Sequence, residues 1–258
     1  MPSRDSIEGL REDNRRLSAL VQSELEIYFR GLDLTDPAGT RDALIAYIPL
    51  LVETFGLVSQ QIAMEWYEAM RFESVPDAAF RAIAPPLPDL TPAVEGSIRY
   101  AAGHLFRNNP EQTLKALQGS VQKYVREPGR QAMIANADYE GVYWARVPTG
   151  NETCSFCLLL ASRSAVYLSE RSAGSERFGE ENKFHDGDDC EIVAVRNDED
   201  YPEGYVPDDL YEAYDLSARA VGSRSDLKRI LYDMRRRFPN QLSDGVDDPD
   251  YLNRVGNV

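Results

Sequence analysis

The chain has 258 residues, 43% of them apolar, a length for one or two domains with enough apolar matter to bury a real core. Its 28 Lys and Arg face 43 Asp and Glu, a formal net charge of −15, and a field of that sign repels phosphate and excludes nucleic-acid binding over the whole surface. Charge interrupts the apolar patches, so no membrane span is expected, and the Arg- and Glu-studded residues 1–29 do not resemble a signal peptide, so synthesis and retention in a reducing cytoplasm are expected.

In chain order, Ile7, Leu10, Leu17, Val21, Leu25 and Tyr28 step by threes and fours and predict a helix that Gly31 ends. Asp36-Pro37 restarts the chain, with Asp36 or Thr40 as N-cap. Leu44, Ile48, Leu51, Phe55, Val58 and Ile62 predict a second, longer helix reaching Trp66, bent at Pro49 and Gly56. Such a stripe serves packing within one chain or self-association through the N-terminal helices. Pro85, Pro86, Pro88 and Pro92 mark a break over 85–92. Ile98, Ala102, Leu105 and Phe106 then predict one short helix. Leu114, Leu117, Val121 and Tyr124, opened by Asn109-Pro110, predict another; Pro128-Gly129 separates it from a further helix through Met133, Ile134 and Ala137.

The character changes after residue 140. Residues 142–147 predict a strand stopped by Pro148 and Gly150. Cys154 to Ser162 reads as a knuckle running into a short helix, Ala165 to Leu168 as a short strand, 172–182 as a loop and Glu191 to Val195 as a β-branched strand. Helices are expected over Asp208 to Val221 and Ser225 to Phe238, with an extended polar stretch from Pro239. The expected class is α+β: a helical domain over 1–140, a small module over 141–240 and an extended tail over 241–258. The acidic runs at 186–191, 198–200 and 208–209 read as solvated faces or a docking surface for a basic partner. Arg235, Arg236 and Arg237 read as a salt-bridged helix surface beside Asp226 and Asp233, or as a local DNA contact.

The chain's three cysteines and one of its two histidines fall in one window as C-x2-C-x27-H-x4-C: Cys154, Cys157, His185 and Cys190. Thiolate and imidazole suit a tetrahedral Zn²⁺, and a Cys3His set fills the shell with no position left for water or substrate, which is a structural site and not a catalytic one. The alternatives are reduced buried thiols or a disulfide; the odd count argues against the second. A Zn²⁺ staple suits a module with few strands and little core. His104, in a helical pattern, reads as an ordinary helix residue.

The run Trp144-Ala145-Arg146-Val147-Pro148-Thr149-Gly150, then Cys154-Ser155-Phe156-Cys157, Leu160-Ala161-Ser162-Arg163, Phe184-His185-Asp186 and Asp189-Cys190 resembles the C-terminal region of minor head proteins of tailed bacteriophages, those similar to the F gene product of phage Mu. The resemblance covers about 50 residues. Two positions depart from the family's pattern: Asp188 stands where the first cysteine of an H-x-x-C-x-C run is expected, and Ser164 where a glycine follows L-A-S-R. Asp188 is therefore an oxygen ligand, a partner of His185 or a surface carboxylate.

The resemblance implies a non-enzymatic assembly role in the virion head. The protein would be a minor capsid or head-morphogenesis component, associated with the portal or the major capsid protein and made in the bacterial host cytoplasm. Relatives are often labelled capsid maturation proteases, so the alternative is that protease or another metal-dependent hydrolase. Against it, no G-x-S-x-G elbow is present, and once His185 is a ligand only His104 remains as a base. A zinc hydrolase would need an open coordination position and a base such as Glu191 or Asp189. No catalytic residue is assigned, and no Gly-rich phosphate loop points to a nucleotide.

Overall fold

Helix α1 (Arg4–Arg30) begins where the Ser3 hydroxyl accepts the Ser6 N–H and ends at Gly31, whose N–H closes on the carbonyl of Ile27. Of its predicted stripe, Ile7, Leu10, Leu17, Val21 and Leu25 are all at most 4% exposed; at the last step Phe29, 1% exposed, takes the buried place expected for Tyr28, which is only partly buried. The structure, a computed structural model, describes residues 2–76, 79–149, 153–162, 190–196, 201–202 and 204–255. Helix α2 (Pro37–Ser74) starts on the Asp36 cap and runs through Pro49 and Gly56 well past Trp66. The Trp66 indole N–H donates to Asp13 at 2.9 Å, which fixes α2 along α1.

The expectation that charge interrupts every apolar run fails for α2. An 18-residue window of it has a mean hydropathy of 1.5, long and apolar enough to cross a membrane by length and composition. The reason is local: between Arg41 and Arg71 the only charges are Asp42, Glu53, Glu65 and Glu68. Leu44, Ile48, Leu51 and Val52 use that apolarity to fill the bundle core.

After the proline-rich break, α3 (Thr91–Ala102) stops at Gly103. Leu105 and Phe106 belong instead to a 3-10 turn (Leu105–Arg107), closed by Asn108 in the left-handed region at φ 54°. Helix α4 (Pro110–Glu140) then corrects the largest sequence expectation: it is one helix, continuous through Pro128-Gly129. Those residues serve a crossing rather than a break. The Pro128 ring packs on Gly56 of α2, and a Cβ on Gly129 would lie 2.5 Å from Ser59 Oγ and 2.8 Å from the Ser59 carbonyl oxygen. Close approach of α2 is what the missing side chain allows.

Strands β1 (Tyr143–Pro148) and β2 (Cys190–Val195) form an antiparallel pair, from Tyr143 opposite Val195 to Pro148 opposite Cys190. Among the described residues this is the whole sheet. Ile7 and Leu10 of α1, Ala63 and Tyr67 of α2 and Met133 of α4 share one core with Trp144, Val147, Ile192 and Val195. A second bundle core lies among α1 to α4, and a small third one under α5 (Ser155–Ala161), α6 (Pro207–Val221) and α7 (Leu227–Arg237). Beyond Pro239 the chain is not simply extended and polar. Buried Leu242 bridges Thr153, and Tyr251 opens a short helix, α8 (Tyr251–Val255), donating its hydroxyl to Asp233 at 2.8 Å. The strand expected over 165–168 and the loop over 172–182 lie outside the described residues.

Polar groups tie the sheet to the bundle. Glu191, 4% exposed, accepts Arg126 Nη2 at 2.6 Å and Asn14 Nδ2 at 3.1 Å. Glu140, at the end of α4, accepts the Tyr67 hydroxyl and Arg71 Nε at 2.6 Å each and Arg196 Nη2 at 2.7 Å.

Candidate metal centre

The C-x2-C spacing builds its own local geometry. Cys154, in extended backbone at φ −76° and ψ 158°, is the N-cap of α5, and its Sγ accepts the Cys157 N–H at 3.2 Å. Sulfur thus takes the place that a Ser or Asp oxygen usually holds at a helix start, and the three-residue step brings both thiols to one side. Cys190 enters from the other direction, as the first residue of β2 opposite Pro148. The three meet in one buried cluster against Phe156, with Cys154 8% exposed and Cys157 and Cys190 fully buried, and none of them in a disulfide.

A polar clasp closes the outside of this knuckle. Asp244, from far along the chain, accepts the Ser155 backbone N–H and the Ser155 hydroxyl, each at 2.7 Å, and Arg235 Nε reaches the same carboxylate at 2.6 Å. The Ser243 N–H adds a bond to the Thr153 carbonyl at 3.0 Å. Burial opposes ionisation of Asp244, but the Ser155 donors and the Arg235 guanidinium outweigh it and hold the carboxyl below its ordinary value. Nothing in the sequence marks Ser155 and Asp244 as partners: they are 89 positions apart, and a lone Ser-Asp in a turn is commonplace.

Of the four residues expected to bind metal, the structure brings together Cys154, Cys157 and Cys190; His185, like Asp188, lies outside the described residues. Among the described residues no three His, Cys, Asp or Glu side chains stand ready-made around one ion. The donor chemistry fits a soft, borderline cation nonetheless: three thiols excluded from water, one already accepting an N–H that favours the thiolate. Such a set, completed by an imidazole, is closed to substrate.

The other residues singled out by sequence take structural places. Glu191 and Cys190 are consecutive on β2, so their side chains leave opposite faces, and Glu191 is held on the bundle side by Arg126 and Asn14. His104 lies in the turn after α3, with its ring edge toward Tyr100. Arg235 pairs with Asp244, Arg236 with Asp248 at 3.7 Å and over the Tyr232 ring, and Arg237 with buried Asp233 at 2.8 Å. The basic run is thus matched by carboxylates of its own chain.

The profile described as VG15 protein matches residues 1–217, spanning both the bundle and the cysteine window. The Gene 15 protein of Mycobacterium phage D29 is 39% identical over 123 residues, covering 37% of this chain and 45% of that protein. The Gene 15 protein of Mycobacterium phage L5 is 34% identical over 90 residues, covering 23% of this chain and 31% of that protein. The matched stretch therefore spans less than half the length of either relative. No solved structure matches the chain.

Proposed function

We propose that this chain, which belongs to the VG15 protein family and resembles mycobacteriophage proteins, is a structural and assembly protein of the phage head. The finer reading is a minor capsid or head-morphogenesis protein of the kind similar to the phage Mu F gene product. It would act at the portal or inner capsid, with a C-terminal module stapled by Zn²⁺. The observation that carries it is the convergence of Cys154, Cys157 and Cys190 in one buried cluster within the motif that bears the resemblance. His185 would complete the set. The ion would supply a cross-link between the start of α5, the start of β2 and the segment between them, where the core among the described residues is small.

A hydrolase finds less support. The carboxylate next to Cys190 in the chain, Glu191, is already bound by Arg126 and Asn14, and it leaves the strand on the face away from the thiol.

Two measurements test the reading separately. Elemental mass spectrometry on the full chain purified without chelators should find about one zinc per chain, lost or weakened in Cys190→Ser. Absence of metal in the parent would remove the staple. Quantitative proteomics of purified virions, procapsids and detached tails should find the chain with the head and portal; enrichment in tails, or absence from all three, would overturn the head assignment.

A further inference from the structure

The most apolar stretch of the chain lies on a helix that the fold covers on one side only. Just 33% of the apolar window of α2 is buried. Along the outer face Leu50, Leu57 and Val58 are 62%, 52% and 44% exposed. Covering such side chains removes apolar surface from water, and exposed apolar residues that share one helix face mark a contact surface.

Beside Leu50 the surface folds inward. A cleft of about 370 Å³ opens between α2, the proline-rich segment and α3, with Val52 and Val94 on its floor and Leu50 and Leu87 on its walls. Among the described residues its charged lining groups are Glu53 and Asp89, with no cation. The two segments that build most of it are without bases over long spans: α2 has no Lys, Arg or His between Arg41 and Arg71, nor does the chain between Arg81 and Arg99. Asp89 accepts the Thr91 N–H at 3.1 Å and so faces the cleft already oriented. Glu53 forms no ion pair among the described residues.

We infer that this cleft, continued by Leu57 and Val58 along α2, docks a basic, apolar segment of a partner protein. A large apolar side chain of that segment would seat over Val52 and Val94, with a Lys or Arg beside Glu53 and Asp89. Charge selects this occupant over the others. Two copies of the chain meeting through the same face would set Glu53 and Glu65 against their own kind, and like charges across an interface are repelled. An anionic bilayer is repelled by the same carboxylates. The inference does not depend on the metal or on the head assignment.

The test uses the full chain and a random-peptide display library. Selected peptides should combine Lys or Arg with Leu, Ile, Met or Phe. The tightest of them, synthesised, should bind Leu50→Asp and Glu53→Lys with Kd weakened by roughly tenfold or more, the size expected when a central contact is lost. Binding to Glu212→Lys should stay within about twofold, because that variant makes the same charge change at an exposed position of α6. This control separates docking from attraction to a net charge of −15. No selected peptide, peptides without basic residues, or an equal loss in Glu212→Lys would overturn the inference. So would dimerisation, or binding to phosphatidylcholine vesicles, that Leu50→Asp abolishes; these assign the face to a second copy or to a bilayer. The substituted side chains are exposed, so thermal melts should match the parent. Should Leu50→Asp fail to fold, Glu53→Lys against Glu212→Lys carries the comparison.

Discussion

The bundle and the knuckle module are held by different means. Among the described residues, the core formed by α1 to α4 and the turn after α3 gathers 17 buried apolar residues, whereas the one beneath α5, α6 and α7 has five. A core of the second size rarely supplies enough burial to order a fold alone. The module makes up the difference with directed contacts: the thiol cluster, the Ser155–Asp244–Arg235 clasp, and buried Asp233, which pairs with Arg237 and accepts the Tyr251 hydroxyl. Apolar burial makes each well-packed side chain costly to remove. A module held by a few polar and sulfur contacts loses less at each partly exposed one, but has few to lose. The sheet belongs to both regimes, with Trp144 and Ile192 in the bundle-side core and Cys190 in the cluster.

The sharpest way to break this comparison is through that shared element. Trp144, 1% exposed, packs with residues of α1, α2 and α4. Trp144→Ala should cost about 4 kcal/mol, and the loss should appear in one transition that moves bundle and module together. Calorimetry showing a shifted second transition and an unmoved first would mean that the sheet belongs to the module alone. Glu191→Ala comes next. It removes the carboxylate that buried Arg126 and Asn14 bind, at a cost of about 3 kcal/mol; urea titration measures it, and a loss below about 1 kcal/mol would show that the pair is solvated rather than buried. Gly129→Ala tests the bundle by itself. Its Cβ would lie 2.5 Å from Ser59 Oγ and 2.8 Å from the Ser59 carbonyl oxygen; the hydroxyl can turn away but the backbone cannot, so the α2–α4 crossing must open, at about 2 kcal/mol. An unchanged melting temperature would show that the crossing has room to relax.

How much the sequence disclosed follows the same division. The stripe from Ile7 to Leu25 was legible because one repeating face is buried and the rest is not, and the run from Ile192 to Val195 because its β-branched residues favour a strand, although every residue of β2 is buried. Asn14 and Arg126 sit on buried faces and break the pattern; only the pairing with Glu191 across the fold explains them. Pro128-Gly129 reads as a helix end by local preference, and tertiary contact with Gly56 and Ser59 overrides that preference. At the candidate site the approach of Cys154 and Cys157 was visible in the C-x2-C spacing, which fixes two thiols within one turn; Cys190 joins them through the pairing of β2 with β1. The clasp was not, because its partners are joined only by a long excursion of the chain. The pairing of Arg237 with Asp233 was legible at a four-residue step, whereas Arg235 and Arg236 find Asp244 and Asp248 only after the chain turns back.

The smallest effect separates the two regions by pH. Two carboxyls report on them. For Glu140, at the bundle end, burial raises the carboxyl, but the Tyr67 hydroxyl, Arg71 and Arg196 outweigh it and leave it below the ordinary 4.5. Asp244, in the module, sits below the ordinary 3.8 through the Ser155 donors and Arg235. A carboxyl whose folded value is the lower one binds fewer protons in the folded than in the unfolded chain. Its contribution is complete above the unfolded value and is lost as pH falls through the folded one. Both contributions are therefore whole at pH 7 and decline on acidification below about pH 4.5 for Glu140 and about pH 3.8 for Asp244. Asp244→Asn keeps the shape and removes the charge. With Asp244 and Arg235 partly exposed, the loss at pH 7 should be about 1 kcal/mol after solvent screening. The gap between variant and parent should close in acid, where the parent carboxyl is protonated too. Hydrogen exchange at the Ser155 amide, compared at neutral and acid pH, locates the effect: its protection should fall with pH in the parent and be low and flat in Asp244→Asn, while amides near Glu140 keep the same acid dependence in both. Equal acid loss at Ser155 in parent and variant would show that the clasp carries no charge-dependent stability and that the thiol cluster holds the knuckle without it.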